Sequence, residues 1–265
     1  PQLARWRRAA GESLYAAWAW LLFGLFAAPV FLAVCLLPRR ERRRRFARRA
    51  ARLLARFAGV RLAARGLDHL DGPRPRVVVA NHQSYLDAYV LTAALPPDLA
   101  FVAKRELARN PFARLLLARL GTLLVDRFDA AQGTDDAARA LAALRAGESI
   151  LFFAEGTFGR APGLLPFQLG AFVTAAAAGV RVVPVAVRGT RSLLRGGEWF
   201  PRRGAVEVVV RPPVAPVDCG WSAALALRDA VRAEVLAACG EPDLEAGAKA
   251  FAAHSPRLTA RAAGR

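Results

Sequence analysis

The sequence contains few of the residues that bind metals, form disulfides or transfer protons. Its 265 residues include three cysteines, three histidines and no methionine. Cys35, Cys219 and Cys239 are far apart and odd in number, so they have neither the spacing of a zinc site nor that of a disulfide framework. This usage suits a reducing compartment. Because the chain starts at Pro1 and lacks methionine, we expect it to be part of a longer gene product.

Acidic residues are also scarce, which leaves the chain strongly basic. There are 39 lysines and arginines against 21 aspartates and glutamates, a formal net charge of +18. This excess indicates a polyanionic partner, which could be nucleic acid, anionic lipid or a phosphorylated substrate. The G-x-S-x-G elbow of serine hydrolases, the P-loop and the dinucleotide-binding glycine fingerprint are all missing. No second cluster of His, Asp and Glu has the spacing of a metal hydrolase.

Two adjoining segments near the N-terminus predict an association with membranes. Residues 14–37 form an uncharged apolar run of 24, about 36 Å of helix and long enough to cross a bilayer. Pro29 could kink this helix or divide it in two, so we expect either a half-inserted helical hairpin or one tilted span. A buried helical hairpin is the alternative. Residues 39–56 follow, with ten arginines, one glutamate and apolar residues at helical spacing.

The basic amphipathic segment has two interpretations, a membrane-surface helix and a nucleic-acid-binding helix. Its attachment to the apolar run favours membrane lipids as the partner, without nucleic acid. Positive charge is heavier on the C-terminal flank of the apolar run. We therefore expect the inner membrane as the location, with the rest of the chain facing the cytoplasm.

From residue 59 onward, short β-rich runs alternate with helical ones. This pattern predicts an α/β fold, a mostly parallel sheet of about seven strands flanked by helices and preceded by the membrane-associated helical segment. The predicted units are residues 1–58, a catalytic domain at 59–240 and a C-terminal tail at 241–265. The predicted strands are 60–64, 76–80, 99–103, 122–125, 149–153, 180–188 and 205–211. The predicted helices are 86–94, 111–119, 134–146, 170–178 and 223–238.

His82 is the only histidine that follows a predicted strand with an acid, Asp87, downstream. Five positions along a continuous helix would place the two residues on different faces. If His82 lies in the turn before the helix, Asp87 can orient it as a base. The alternative is a capping box, in which Ser84 is the N-cap and Asp87 merely caps the helix.

Three further polar or proline-containing segments fall at predicted strands. They are Gly121 to Arg127, Glu155-Gly156-Thr157, and Val183-Pro184-Val185. The second offers a carboxylate, a flexible backbone and a hydroxyl in one turn, and Arg127 is a forked donor suited to phosphate. For each segment taken singly, the alternative interpretation is a structural turn or a surface ion pair.

Together with the N-H-x-x-x-x-D segment, these stretches resemble the motifs of the glycerolipid acyltransferase family, typified by bacterial 1-acylglycerol-3-phosphate acyltransferase. The four blocks occur in the family's order over about residues 59–215. The resemblance implies transfer of a fatty acyl group from an acyl thioester, carried by acyl carrier protein or CoA, to a lysophospholipid hydroxyl. The implied acceptor is 1-acyl-sn-glycerol-3-phosphate and the implied product is phosphatidic acid. No cofactor beyond the thioester cosubstrate is implied.

The resemblance also implies roles for individual residues. His82 would be the base and Asp87 its orienting carboxylate. Backbone N–H groups near Gly156 and Thr157 are candidates for the oxyanion site. The implied substrate-binding residues are Asn81, Lys104, Arg127, Glu155, Gly156, Thr157 and Arg160.

The chain departs from the family pattern in its third block, which usually reads F-P-E-G-T-R-S. Ala154 replaces the proline, Phe158 replaces the arginine, and Gln168 stands at a downstream position that is usually lysine. Arg160 could supply the missing charge. These departures leave the acceptor open. The alternatives are another lysolipid, such as lysophosphatidylethanolamine or an ornithine-type lysolipid, and a non-catalytic basic membrane-binding protein.

Overall fold

The computed structural model describes residues 2–126 and 130–245, with side chains described from 10 to 126 and from 135 to 245. Seven strands in these ranges form one sheet in the order β1-β7-β6-β2-β5-β3-β4. Every neighbouring pair is parallel except β6 and β7, which are antiparallel. The strands are β1 (Arg61–Arg65), β2 (Val77–Ala80), β3 (Leu99–Lys104), β4 (Leu123–Val125), β5 (Ser149–Phe153), β6 (Val182–Arg188) and β7 (Ala205–Val210). The predicted mostly parallel α/β sheet is confirmed.

Helices cover both faces of this sheet, and the five helices predicted after residue 59 are all present. On one face α3 packs on the strands and α2 packs on α3, while α5, α6 and α8 cover the other face. The helices are α1 (Gln2–Leu36), α2 (Arg40–Phe57), α3 (Asp87–Ala94), α4 (Pro111–Leu120), α5 (Ala130–Arg145), α6 (Gly170–Ala178), α7 (Thr190–Leu193) and α8 (Trp221–Cys239).

The central strands show why the sequence favours this sandwich of layers. All four residues of β2 are fully buried, as are the first six of β6. Strands covered by helices on both faces read as unbroken apolar runs, because neither set of alternating side chains meets water. Such runs belong in the middle of the sheet. The more exposed β1, with its two arginines, lies at the edge.

The apolar helix α1 continues through Pro29, so of the two expected forms the divided hairpin is wrong and the segment is a single helix. Packing along its length supports it, since α1 contacts both α2 and α4. Near one end, the Tyr15 hydroxyl donates a hydrogen bond to the Ala58 carbonyl at 3.0 Å. Near the other end, Arg119 donates one to the Cys35 carbonyl. Both ends of the apolar stretch are therefore held against the same side of the domain.

Six of the ten arginines in residues 39–56 bind other residues of the protein, and one of these, Arg45, pairs with Glu41 inside the same helix. Arg48 and Arg52 donate to the carbonyls of Ala94 and Ala93, at the C-terminal end of α3. The last carbonyls of a helix have no partner inside the helix and carry partial negative charge, so guanidinium groups stabilise them. Arg40 and Arg44 bind Glu148, and Arg43 and Arg44 bind backbone carbonyls next to α1 and at the end of α4. The sequence interpretation assigned the whole set to the membrane surface, and this was too broad.

The beginning of the predicted tail packs on the domain. The N–H of Leu164 donates to the Pro242 carbonyl at 2.8 Å, and Arg232 binds the Asp243 carboxylate at 2.6 Å. Residues 246–265 lie outside the described part of the chain. The unit boundaries at 58 and 240 stay predictions, although the packing of α2 on α3 crosses the first of them.

Candidate active site

The polar segments noted in the sequence gather at the carboxyl ends of neighbouring strands. β2 lies between β5 and β6, and its last residue, Ala80, is in register with Phe153 of β5 and Val185 of β6. The residues that follow β2 and β5, including His82 and Glu155, therefore meet at one edge. Open α/β sheets place ligands in the crevice at this edge.

His82 and Asp87 form the centre of the site. Nδ1 of His82 lies 2.8 Å from Oδ2 of Asp87. The imidazole lies in the turn after β2 and Asp87 is the first residue of α3, so the pair meets as the sequence argument required. A hydrogen on Nδ1 would donate to the carboxylate and leave Nε2 with its lone pair. The Asp87 side chain is fully buried and that of His82 is 17% exposed, so the base is accessible and its partner is not.

Of the capping alternative, the role of Asp87 as an acceptor for backbone N–H groups is confirmed, and the role of Ser84 as the N-cap is wrong. The Asp87 carboxylate accepts hydrogen bonds from the backbone N–H groups of Gln83 at 2.6 Å and Ser84 at 2.8 Å. However, Leu86 rather than Ser84 is the N-cap, and the Ser84 hydroxyl donates to the Leu194 carbonyl at 2.6 Å. The backbone N–H groups of Gln83 and Ser84 and Nδ1 of His82 all lie at the same oxygen, Oδ2 of Asp87. Asp87 thus fixes both the turn and the imidazole, since hydrogen bonds to a charged acceptor are worth about 1.5–3 kcal/mol each.

Asn81 and Glu155 fasten this turn to the sheet. The side-chain amide of Asn81 donates to the Val187 carbonyl at 3.0 Å and accepts from the Val187 N–H at 2.7 Å, so both of its ends bond β6. The Glu155 carboxylate accepts from the N–H of His82 at 2.6 Å and from the N–H of Leu165 at 2.8 Å. These contacts are architectural, and the substrate-binding roles of the two residues stay predictions.

The surroundings of Glu155 shift the pKa of its carboxyl group. Burial raises its pKa to about 7, and the nearby Asp87 carboxylate adds to the rise. The backbone donors at His82 and Leu165 and the positive charge of Arg191 act in the opposite direction. A carboxyl in this environment changes charge near neutral pH, because water that would stabilise the ionised form is excluded.

Two phenylalanines that sequence reasoning did not assign to the site enclose the His82 imidazole. Phe153 stacks on it with ring centroids 4.2 Å apart and planes at 21°. Phe158 meets it edge-on at 4.4 Å and 63°. The only signal in the sequence was that Phe158 stands where the family pattern has arginine. Its ring excludes water from one side of the base, which strengthens electrostatic interactions there.

An apolar cavity of about 670 Å³ opens beside His82. It runs between strand β3 and the helices α1 to α4, and its walls include residues from all of them. Among these are Phe23, Phe26, Leu54, Phe101, Leu107 and Leu116. No sequence motif pointed to this space, because its lining comes from segments that are distant along the chain.

The remaining predicted residues divide into two groups. Lys104, Gly156 and Thr157 line the cavity together with His82. Arg160 does not, because it is exposed and its Nε donates to the Gly196 carbonyl at 3.0 Å. Arg127 lies outside the described residues.

Gly156 and Thr157 of the turn after β5 line the cavity. Gly156 adopts a φ of +75°, a left-handed conformation that glycine reaches without a side-chain clash. Its own N–H donates to the Phe153 carbonyl at 3.0 Å. The N–H of Thr157 has no hydrogen-bond acceptor among the described residues, which makes it the better candidate for binding a developing oxyanion.

Comparisons with known proteins agree with this geometry. A family model described as "Acyltransferase" matches residues 61–188. The 1-acyl-sn-glycerol-3-phosphate acyltransferase of Salmonella typhimurium is 32% identical over 168 residues, which cover 63% of this chain and 68% of that protein. The chain belongs to the glycerolipid acyltransferase family.

The fold comparison extends this relationship to most of the chain. The crystal structure of the 1-acyl-sn-glycerophosphate acyltransferase PlsC from Thermotoga maritima matches with a TM-score of 0.69 and 25% identity, covering 87% of this chain and 94% of that one. Within the glycerolipid acyltransferase family the lengths differ. The chloroplast 1-acyl-sn-glycerol-3-phosphate acyltransferase of Arabidopsis thaliana is 34% identical over 151 residues, 56% of this chain and 42% of that protein. The chain thus spans less than half the length of that relative.

Proposed function

We propose that this protein transfers a fatty acyl group from an acyl thioester to the free hydroxyl of a lysophospholipid. The proposed acceptor is 1-acyl-sn-glycerol-3-phosphate, and the product is phosphatidic acid. The observation that carries the proposal is the His82–Asp87 pair, 2.8 Å apart, opening into an apolar cavity of about 670 Å³. The names of the Salmonella and Thermotoga relatives support the choice of acceptor.

The first step needs a base, because an alcohol is a weak nucleophile at neutral pH. Nε2 of His82 takes the proton of the acceptor hydroxyl while the oxygen attacks the thioester carbonyl carbon. Asp87 holds Nδ1–H and stabilises the imidazolium that forms. The substrate hydroxyl occupies the role that a serine has in a hydrolase triad, so no acyl-enzyme is required.

The tetrahedral intermediate then collapses to products. The N–H of Thr157 is the proposed donor to its oxyanion, at the turn that Glu155 holds in place. The carbon–sulfur bond breaks, and the imidazolium returns its proton to the leaving thiolate. One ester and one free thiol result, and His82 is neutral again.

The acceptor phosphate requires cations near the mouth of the cavity. Lys104 lies at the end of β3, in register with Val125 at the end of β4. Arg127 follows two residues after Val125 in the sequence. We propose that these two residues bind the phosphate, Arg127 as a bidentate donor and Lys104 as a point charge. Arg160 is a weaker candidate because a backbone carbonyl already occupies its Nε.

The fatty acyl chain is the proposed occupant of the apolar cavity, and the thioester is delivered by acyl carrier protein or CoA. The cavity is lined mainly by aliphatic and aromatic side chains, which favour a hydrocarbon chain over a polar one. The carrier would stay outside, since the thioester carbon must reach His82 near the opening.

We further propose that α1 lies along one leaflet of the membrane rather than across it. Its stretch at residues 10–36 is apolar enough to span a bilayer, and only 11% of its most apolar 18-residue window is buried. Tyr15 and Cys35 both bond the domain, and they are separated by about 30 Å of helix. A perpendicular span would carry the contacting parts of the domain into the hydrocarbon, where charged groups are costly. The proposed location is the inner membrane, with the domain on its cytoplasmic side.

An acyl-transfer assay tests the function directly. The full chain is incubated with radiolabelled acyl thioesters of both acyl carrier protein and CoA and with a panel of lysolipids. We expect labelled phosphatidic acid, in amounts insensitive to chelators. Product only from lysophosphatidylethanolamine or an ornithine-type lysolipid would refute the acceptor. No product from any acceptor, by protein that still binds vesicles, would indicate a non-catalytic membrane-binding protein.

A further inference from the structure

The loop between α7 and β7 has a composition unlike that of an ordinary surface connection. Residues 195–203 read R-G-G-E-W-F-P-R-R, and we name this segment the tryptophan loop. Trp199 lies at the centre of this loop and is 72% exposed. Nothing in the proposed chemistry uses this loop, and Trp199 does not line the cavity.

The tryptophan loop is attached to the apolar N-terminal helix. The indole N–H of Trp20 donates to the Trp199 carbonyl at 2.9 Å, and the two ring systems lie 5.9 Å apart. Trp20 is in turn edge-on to Phe23 at 5.7 Å. The exposed ring of Trp199 therefore continues the apolar face of α1, on which Leu21 and Leu25 are 64% and 65% exposed.

A short row of contacting aromatic rings connects the same loop to the catalytic histidine. Trp199 stacks on Tyr85 at 6.2 Å and 10°, and Tyr85 is 56% exposed. Tyr85 meets Phe158 edge-on at 4.8 Å, and Phe158 contacts His82. The exposed aromatic surface thus reaches from the membrane helix to the opening of the cavity.

The charges of the loop favour an anionic surface. It carries Arg195, Arg202 and Arg203 against one acid, Glu198, which Arg202 binds at 3.0 Å. Arg203 lies over the Tyr15 ring of α1, 5.0 Å from its centroid. Arg195 is exposed and makes no ion pair within the described residues. Aromatic rings flanked by arginines are typical of segments at the lipid headgroup level, where the ring is half solvated and the cation meets phosphate.

We propose that the tryptophan loop is a membrane-contacting element of the catalytic domain itself. In this arrangement Trp199 inserts at the headgroup level of a bilayer containing anionic glycerophospholipid, in the same plane as the exposed face of α1. The loop then holds the opening beside His82 against the monolayer that contains the acceptor, which rests on the proposed function. A lipid surface is favoured over a protein partner because the patch is continuous with a helix face that is itself apolar enough to enter a bilayer.

The chain provides its own control in Trp221. This residue is 62% exposed, similar to Trp199, but it begins α8 on the opposite face of the sheet.

The test uses the full chain with 5-fluorotryptophan at its five tryptophans. The fluorine NMR signals of Trp20, Trp199 and Trp221 are assigned by Trp20→Phe, Trp199→Phe and Trp221→Phe. The protein is then bound to nanodiscs of phosphatidylcholine and phosphatidylglycerol that carry a nitroxide near the headgroup.

We expect the Trp199 signal to broaden beyond detection, along with that of Trp20, while the Trp221 signal stays sharp. A sharp Trp199 signal beside a broadened Trp20 signal would overturn the proposal, as would equal broadening at Trp199 and Trp221. A Trp199 shift caused by acyl carrier protein without lipid, with no effect of the nitroxide, would assign the patch to a protein partner instead. No acyl substrate is present, so the outcome is independent of whether acyl transfer occurs.

The affinity of the protein for vesicles provides a second test of the inference. Trp199→Ser should weaken partition to the same anionic vesicles, and the matched Trp221→Ser should leave it unchanged. Thermal unfolding of both variants checks that the fold is intact. Equal partition of both variants and the unmodified chain would refute the proposal.

Discussion

The carboxylate of Glu155 accepts a hydrogen bond from the backbone N–H of His82 at 2.6 Å, although the two residues are 73 positions apart. Asp87 holds the imidazole of the same histidine at 2.8 Å. One acid therefore fixes the main chain of the base and another fixes its ring. The E-G-T motif thereby gains a physical reason: its glutamate ties the turn after β5 to the turn after β2.

His82→Ala should abolish acyl transfer without unfolding the protein. Removal of a general base costs roughly 10²–10⁴-fold in rate. The rate is measured as labelled product per folded molecule. His69→Ala is the matched control, since His69 lies in the 3₁₀ turn Leu67–Leu70, outside the site. A folded His82→Ala protein with near-normal turnover would rule out the mechanism.

Asp87→Asn should also reduce the rate strongly, on the order of 10²-fold or more, because a neutral amide stabilises the imidazolium poorly. Some stability should be lost as well, since Oδ2 also accepts from Gln83 and Ser84. Turnover per folded molecule and the midpoint of thermal unfolding separate the two effects. If only the midpoint fell, Asp87 would be a structural cap and not part of the catalytic pair.

Glu155 should make the stability of the protein depend on pH. Its pKa is raised from 4.5 to about 7 in the fold, so the folded state binds the proton more tightly than the unfolded state. This contribution is fully present below about pH 4.5 and is lost as the pH rises through about 7, up to roughly 3 kcal/mol. Denaturant unfolding across this range should show it as a decline relative to Glu155→Gln. Parallel curves for the two proteins would contradict the assignment.

Arg127→Ala should raise the KM for the phosphorylated acceptor and change that for the thioester much less. The reason is that a guanidinium fork matches the acceptor phosphate. Titration of each substrate at saturating levels of the other measures the two effects. Arg160→Ala is the informative comparison, because an acceptor defect there instead would move the phosphate site to the loop after β5.

Salt and detergent should affect membrane attachment differently. The arginines of α2 that do not bind the protein add about 1 kcal/mol each near an anionic surface, and salt screens them. High salt should therefore slow initial binding to vesicles but leave inserted protein in place, and detergent should release it. Complete release by salt alone would show that α1 is buried against the protein.

The elements that the sequence predicted well are those with strong local signals. α4 begins at Pro111, where the Asn110 side chain caps two backbone N–H groups, and the buried strand Ser149–Phe153 reads as an apolar run. The positions of His82 and Asp87 follow from a strand–turn–helix signal of the same kind.

What the sequence could not predict depends on contacts between distant segments. The inward-facing guanidiniums of Arg48 and Arg52 bind carbonyls more than 40 positions away. The Phe158 ring over His82 joins loops 76 positions apart. The continuity of α1 through Pro29 likewise rests on packing against α2 and α4 rather than on local propensity.

The helices α1 and α2 supply one wall of the cavity, through residues such as Phe23, Phe26 and Leu54. The segment that we propose as the membrane attachment is thus also part of the surface that would contact the acyl chain. In a chimera that exchanged residues 1–58 for an unrelated anchor, the choice of fatty acid would change together with the attachment. Evolution of the anchor and of acyl-chain preference would be coupled for the same reason, since a substitution at either helix alters both.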